Sequence, residues 1–239
     1  MKTALIFGST GLVGGHVLDQ LIQNKNYSKI KLFVRSAHAI DDPKIEIVKT
    51  DFNNLENHIE DIKGDDCFFC IGTTKKNSPD KDEYKRVELE VPKQVAQIAK
   101  SNLVNSFVFV SSGYADPKSS GDYLKFKGLV EEELKRLNFS KLGVMRPSFL
   151  LGDRKEKRVG EKIGIFVFKI LSPLFLGPLK KMKPIHSATV AKVMIKIANE
   201  NLEKTIFESD EIVELTSNKT QSNDWSSSFS HATFCRFKF

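Results

Sequence analysis

The chain has 239 residues, 40% hydrophobic and 28% charged, with 37 Lys and Arg against 30 Asp and Glu for a net charge of +7. That length builds a real hydrophobic core, and that composition excludes a disordered, collagen-like or coiled-coil chain. Three cysteines exclude a disulfide scaffold and fit a reducing compartment, while the basic balance leaves nucleic acid, a membrane surface or a phosphorylated small molecule open.

Ala4–Phe7 is an apolar run stopped by Gly8, too short for a signal peptide, and it reads as a buried strand over Thr3–Phe7. A cytoplasmic protein is therefore expected. Leu12–Asn24 reads as a helix with Val13, Val17, Leu18, Leu21 and Ile22 on one face. Strands are expected at Ile30–Val34 and Ile45–Lys49, a short helix at Leu55–Ile62, and a buried strand at Asp66–Ile71. Asp82–Lys100 is helical with a break or kink at Pro92. Then follow a strand at Ser106–Val110, a helix at Tyr123–Leu137 and a strand at Lys141–Met145. The alternation predicts an α/β fold, a Rossmann-type doubly wound parallel sheet. Its short apolar strands without alternation suit a sheet buried on both faces.

After Arg146 the texture changes. A charge-dense stretch, Arg154–Lys162, precedes the apolar Ile163–Leu179, the basic Lys180, Lys181 and Lys183, and a helix at Ala188–Asn199. Residues 151–217 are expected to form a small C-terminal substrate lobe within a single domain, 1–217. Asn218–Phe239 holds five Ser, four Phe and the only Trp, with no Leu, Ile or Val. It reads as a flexible tail or as residues foreign to the fold.

Gly8-Ser9-Thr10-Gly11-Leu12-Val13-Gly14 sits between the first strand and the first helix. A tight turn, close approach to a pyrophosphate and helix–strand packing each favour a residue without Cβ. The helix N-terminus then offers N–H groups to phosphates. In this βαβ context the spacing predicts dinucleotide binding. The second strand ends in Arg35-Ser36, with no acidic residue before Asp41. A carboxylate there would bond the ribose 2′-OH of NAD, whereas a guanidinium suits a 2′-phosphate, so NADP(H) is favoured over NAD(H). Asp51-Phe52 after the third strand and Gly72-Thr73-Thr74 after the fourth lie where a doubly wound sheet holds its ligand. Asp51 reads equally as an N-cap for Leu55–Ile62.

Ser111-Ser112-Gly113 leaves the fifth strand, and Tyr123 and Lys127 follow as Y-x-x-x-K on one helical face. An ammonium beside the phenol favours phenolate and makes Tyr123 a usable acid/base. A serine hydroxyl there would bond a substrate oxygen.

These residues resemble the short-chain dehydrogenase/reductase superfamily in its extended or atypical branch. Phe69–Thr74, Tyr123–Gly128 and Arg146–Arg154 narrow the resemblance to the Tat-interacting-protein-like oxidoreductases, over about residues 1–217. The resemblance implies a Rossmann fold binding NADPH, with Tyr123 as acid/base and Lys127 as its partner and a contact of the nicotinamide ribose. It implies Ser112 as the catalytic serine, and Arg146-Pro147 beside the nicotinamide. Where many extended members carry Val-Asn, this chain has Val87-Glu88. The expected function is an NADPH-dependent oxidoreductase acting on a carbonyl or alcohol. The alternative is an NADP(H)-binding regulatory or sensor protein with little turnover.

Cys67-Phe68-Phe69-Cys70 has redox or zinc spacing, but positions three apart in a strand point to opposite faces, so it reads as core and no metal is expected. His186 reads as a substrate-lobe or capping residue. The basic groups come with no nucleic-acid-binding motif, which disfavours a nucleic-acid partner, and the apolar stretch reads as a lid rather than a membrane contact. A small-molecule substrate is the expected partner, with the oligomeric state open.

Overall fold

The computed structural model describes residues 1–36, 40–152 and 184–217. Seven parallel strands form the main sheet: β1 (Lys2–Phe7), β2 (Tyr27–Val34), β3 (Ile45–Lys49), β4 (Asp66–Phe69), β5 (Ser106–Val110), β6 (Lys141–Arg146) and β9 (Ile206–Glu208). Their order is β3-β2-β1-β4-β5-β6-β9, the Rossmann order extended by one strand. The predicted doubly wound parallel sheet is therefore the observed fold. Two further two-residue strands, β7 (Leu150–Leu151) and β8 (Ile185–His186), pair with each other.

Side chains alternate across the strands, and each face carries its own core. On one face Ile6, Phe68, Val108 and Met145 pack against α1 (Leu12–Gln23) and α5 (Ser187–Asn199). On the other, Phe7, Phe33, Phe69, Phe107 and Phe109 pack against α3 (Val91–Ser101) and α4 (Asp122–Leu137). Strand register makes Phe33, Phe7, Phe69 and Phe109 one row across β2, β1, β4 and β5. Phe7 stacks on Phe33 at 4.2 Å and on Phe69 at 5.7 Å between ring centroids. Cys67 belongs to this face and Cys70 packs against the opposite core, as the three-residue spacing predicted. Burial pushes the Cys70 thiol up to about 12.

The second long helical run is α2 (Lys81–Lys85), a π-helical turn (Arg86–Glu90) and α3. Pro92 has no N–H to bond the Glu88 carbonyl, so the regular ladder fails one turn ahead of it. The helix widens there, with the Val91 N–H reaching back five residues to the Arg86 carbonyl. The kink expected at Pro92 is thus a widened turn that carries Glu88.

The N-terminal edge of the sheet is closed by a polar cluster. Asp66, fully buried, accepts from Tyr27 Oη at 2.7 Å, Ser106 Oγ at 2.6 Å and Lys2 Nζ at 2.9 Å. Burial, then the Asp66 charge, pushes the Tyr27 phenol well above the usual tyrosine range. Four strands are thereby tied at one end, leaving the opposite end free for function.

One expectation is corrected. Leu55–Ile62 is only a short 3₁₀ turn, Leu55–His58, whose cap position is Asn54. Most of the substrate lobe expected over 151–217 lies outside the described residues, and its described parts adjoin the sheet. Helix α5 covers the sheet beside α1, β9 is its seventh strand, and α6 (Ser209–Ser217) follows directly. The segments Arg154–Lys162, Ile163–Leu179 and Lys180–Lys183, and the tail Asn218–Phe239, lie outside the described residues.

Phe69→Ala removes the middle of the aromatic row from a fully buried position. It should cost about 3–5 kcal/mol, read as a lower urea midpoint with little change of slope. A loss under about 1 kcal/mol would show that the row is not the core's main support.

Candidate active site

Parallel strands place all their carboxyl ends on one edge, and most of the expected site residues meet there. The turn after β1 is dictated by its glycines. Gly8 has φ of +90°, and a Cβ on it would lie 2.8 Å from the Cys70 carbonyl carbon. A Cβ on Gly14 would lie 2.1 Å from the Gly8 oxygen, so α1 packs this close to the strand only without one. Gly11 and Thr10 are exposed and Ser9 is buried. No side chain caps α1 and no acidic residue stands in its first turn. Its N-terminus is therefore electropositive and open to an anion, which fits a dinucleotide phosphate. Leu12 and Val13 begin the helix, and Leu12 abuts Gly152 beyond β7.

Arg35 and Ser36 are exposed at the end of β2, and no hydrogen bond or ion pair engages the guanidinium among the described residues. Asp51 is exposed and accepts from the Asn53 backbone N–H at 2.9 Å and the Asn53 amide at 3.0 Å. These bonds hold its carboxyl below the usual range. It forms a local turn and is not the N-cap considered from the sequence. Phe52 has φ of +64°, and its carbonyl accepts from Arg86 Nη1 at 3.0 Å.

Lys127 and Tyr123 stand on the same face of α4, with the ammonium 5.9 Å from the Tyr123 ring centroid. Lys127 is almost wholly buried, donates to the Val110 carbonyl at 3.3 Å and lies over the Phe109 ring at 4.9 Å. Its carboxylate partner is Glu88, whose Oε2 is 3.0 Å from Nζ. Glu88 Oε1 accepts from the Thr73 N–H at 2.5 Å. Burial pulls the Lys127 pKa down, but Glu88, Tyr123 and Glu131 outweigh it and hold the group above the ordinary lysine value. Gly72 lies beside this pair, while Thr73 Oγ1 bonds Ser78 Oγ at 2.9 Å and Thr74 starts the next turn.

The two serines are separated by their partners. Ser111 Oγ is buried and donates to Glu131 Oε1 at 2.5 Å. Ser112 is partly exposed, and among the described residues its hydroxyl makes only a 3.3 Å contact with the Gly113 carbonyl. Ser112 is thus the hydroxyl free to meet a ligand, and Tyr123 beyond it is 38% exposed.

Arg146, expected from the resemblance to lie beside the nicotinamide, has its guanidinium engaged elsewhere. It meets Glu131 at 3.0 and 2.6 Å, Glu208 at 3.3 Å and the Ala115 carbonyl at 3.1 Å. Its side chain braces β6 to α4 and β9, and Pro147 is buried with its carbonyl bonded by the Gly113 N–H at 3.0 Å. Glu131 was missed in the sequence. It stands four residues after Lys127 on the buried face of α4, where an acidic residue is out of place unless paired. His186 is exposed at the start of α5 and makes no side-chain cap.

A family model described as NAD(P)H-binding matches residues 8–201. The chain belongs to the NAD(P)H-binding family. Within it, the chain is 32% identical over 226 residues to the mitochondrial protein FMP52-1 of Scheffersomyces stipitis, covering 89% of this chain and 98% of that one. It is 33% identical over 164 residues to protein HTATIP2 of Rattus norvegicus, covering 67% of each. The Tat-interacting-protein-like resemblance is thereby shown. Among solved structures, the NAD⁺ complex of the Bordetella bronchiseptica enzyme WbmH superposes with a TM-score of 0.65 at 18% identity, covering 91% of this chain and 80% of that one. That likeness supports the Rossmann architecture. The FMP52 relatives carry mitochondrial names, which overturns the cytoplasmic location expected from the N-terminal sequence.

The serine pair gives a direct test. Ser111→Ala removes the buried hydroxyl donor to Glu131, leaving only Arg146, and should cost about 1–3 kcal/mol in urea unfolding. Ser112→Ala should stay within about 0.5 kcal/mol of wild type. Equal losses would mean that the two hydroxyls are not divided as described.

Proposed function

We propose that this member of the NAD(P)H-binding family is an NADPH-dependent oxidoreductase of the short-chain dehydrogenase/reductase type, reducing a carbonyl or oxidising the corresponding alcohol of a small molecule. The observation that carries the reading is the Lys127 ammonium held 5.9 Å from the Tyr123 ring at the strand edge that ends in the glycine turn. The glycine turn, the open α1 N-terminus and the Gly72-Thr73 backbone would hold the dinucleotide, and exposed Arg35 would pair with a 2′-phosphate. The nicotinamide supplies or takes the hydride when bound.

The protein's own part is proton handling and orientation. Tyr123 Oη gives its proton to the substrate oxygen in reduction and takes it back in oxidation. Ser112 Oγ donates a hydrogen bond to the same oxygen and fixes the substrate carbon in register. Lys127 stabilises negative charge on the phenol oxygen and holds the ribose. The relatives' names favour a mitochondrial setting for this chemistry.

Carbonyl-dependent NADPH oxidation over a panel of aldehydes and ketones is the test. Tyr123→Phe should lower kcat by about 100-fold or more while nucleotide affinity holds. Tight NADPH binding by wild type with no turnover on any substrate would replace the enzyme reading with that of a nucleotide-holding protein.

The nucleotide preference is tested separately. Arg35→Asp should weaken NADPH by about tenfold or more, a loss of about 1.4 kcal/mol, with NADH little changed, in a fluorescence titration. Wild type binding NADH more tightly than NADPH would refute the role given to Arg35.

A further inference from the structure

The ion pair beneath Gly72 includes a buried carboxylate, Glu88, that the proposed chemistry does not itself use. Glu88 is wholly buried and Lys127 is 4% exposed at the side chain. The two sit on different helical runs and meet under the turn that leaves β4. A side chain added at Gly72 would come 3.5 Å from Glu88 Oε1 and 4.0 Å from Lys127 Nζ. Each carboxylate oxygen has a separate task. Oε1 takes the Thr73 N–H. Oε2 faces the ammonium at 3.0 Å. Among the described residues, Lys127 is the cation that compensates it.

Removing a buried ammonium from water is costly, and a lone lysine at such a depth sheds its proton. The other groups facing Lys127 do not supply a full counter-charge close by. On its own helix they are the Tyr123 phenol and Glu131, but Glu131 is bonded to Arg146 and Ser111. From β4 and β5 come the Cys70 thiol, the Val110 carbonyl and the Phe109 ring. From α2, Tyr84 faces Glu88, and its phenol is pushed up to about 12 by burial and then by Glu88.

We propose that Glu88 is a positioning residue, the buried counter-ion that keeps Lys127 protonated and ties it to the Gly72-Thr73 turn. Tyr123 then stands beside an ammonium that is fixed in place and held in its charged form. The π-helical turn ahead of Pro92 carries the carboxylate. This inference rests on the reading of Lys127 as the partner of Tyr123. The sign follows from linkage. With its pKa raised in the fold, Lys127 contributes stability that is complete below the ordinary lysine value of about 10.4 and fades as pH rises through the raised value.

The experiment titrates lysine side-chain nitrogens by NMR in the full-length, ¹⁵N-lysine-labelled protein without nucleotide or substrate. Lys127→Arg assigns the signal. Wild-type Lys127 should keep an ammonium shift to at least the pH at which exposed lysines titrate. Glu88→Gln retains the Thr73 bond but removes the charge, and it should lower the Lys127 titration by at least about one pH unit. Glu88→Asp should recover part of the shift. An unchanged titration in Glu88→Gln would overturn the proposal.

If Glu88→Gln does not fold, the double variant Glu88→Gln/Lys127→Met decides. A folded double variant, more stable in urea than either single variant, supports charge compensation. A double variant as unfolded as Glu88→Gln would refute it. Neither readout depends on turnover, so absence of carbonyl reduction would sink the proposed function and leave this inference standing on its own result.

Discussion

A parallel sheet covered on both faces by helices leaves charge nowhere to go but the strand ends. Here both faces carry a buried apolar core, with a phenylalanine row on one side and mainly aliphatic residues on the other. Every buried polar group of the sheet is therefore driven to one edge or the other, where it must be paired. At the amino edge the solution is closed: Asp66 is saturated by Tyr27, Ser106 and Lys2. At the carboxyl edge some groups are satisfied and others are left open, and the open ones define the candidate site.

The satisfied groups at the carboxyl edge form two units. One is Glu88 with Lys127 and the Thr73 N–H. The other is Glu131 with Ser111 and Arg146, extended to Glu208 on β9. Both attach α4 to strand ends, so the helix carrying Tyr123 is held by charge at two points as well as by Val130 and Leu134 in the core. Against that fixed frame stand Ser112, Tyr123, Arg35 and the uncapped α1 N-terminus. They are the polar groups the fold does not consume. Preorganisation of this kind lowers the cost of ordering a ligand, because the frame is in place before binding.

The fold was legible because its evidence is periodic and local. Ile45–Lys49 and Ser106–Val110 are strands with the bounds expected from apolar runs and turn residues. The glycine turn was legible because each glycine answers a steric demand visible in its spacing. What could not be read was anything decided across the sheet. Three-residue β9 has no period to detect, and it is a strand only because β6 offers an edge to pair with. The guanidinium of Arg146 is held by Glu131 and Glu208, 15 and 62 residues away in sequence, a bracing that no local pattern shows. Ser111 and Ser112 are told apart in the sequence only by resemblance, and the physical difference between them is that Ser111 faces Glu131. Glu88 stood out as a departure from a motif, but its partner became visible only in three dimensions.

The same distinction bears on the excess of basic residues. Several cations at the carboxyl edge are neutralised within the fold: Lys127 by Glu88, Arg146 by Glu131 and Glu208, Arg86 by Glu83. Arg35 is exposed past the end of β2 and makes no ion pair or hydrogen bond among the described residues, although its charge reaches the Glu83 carboxylate. A basic balance spread over a surface would argue for a polyanion, since affinity there grows with the number of phosphates met. A single unpaired guanidinium beside an uncapped helix N-terminus argues for a ligand with few phosphates at fixed positions. In the proposed reading that ligand is the dinucleotide, and the distinction between its 2′-hydroxyl and 2′-phosphate forms rests on Arg35 rather than on net charge.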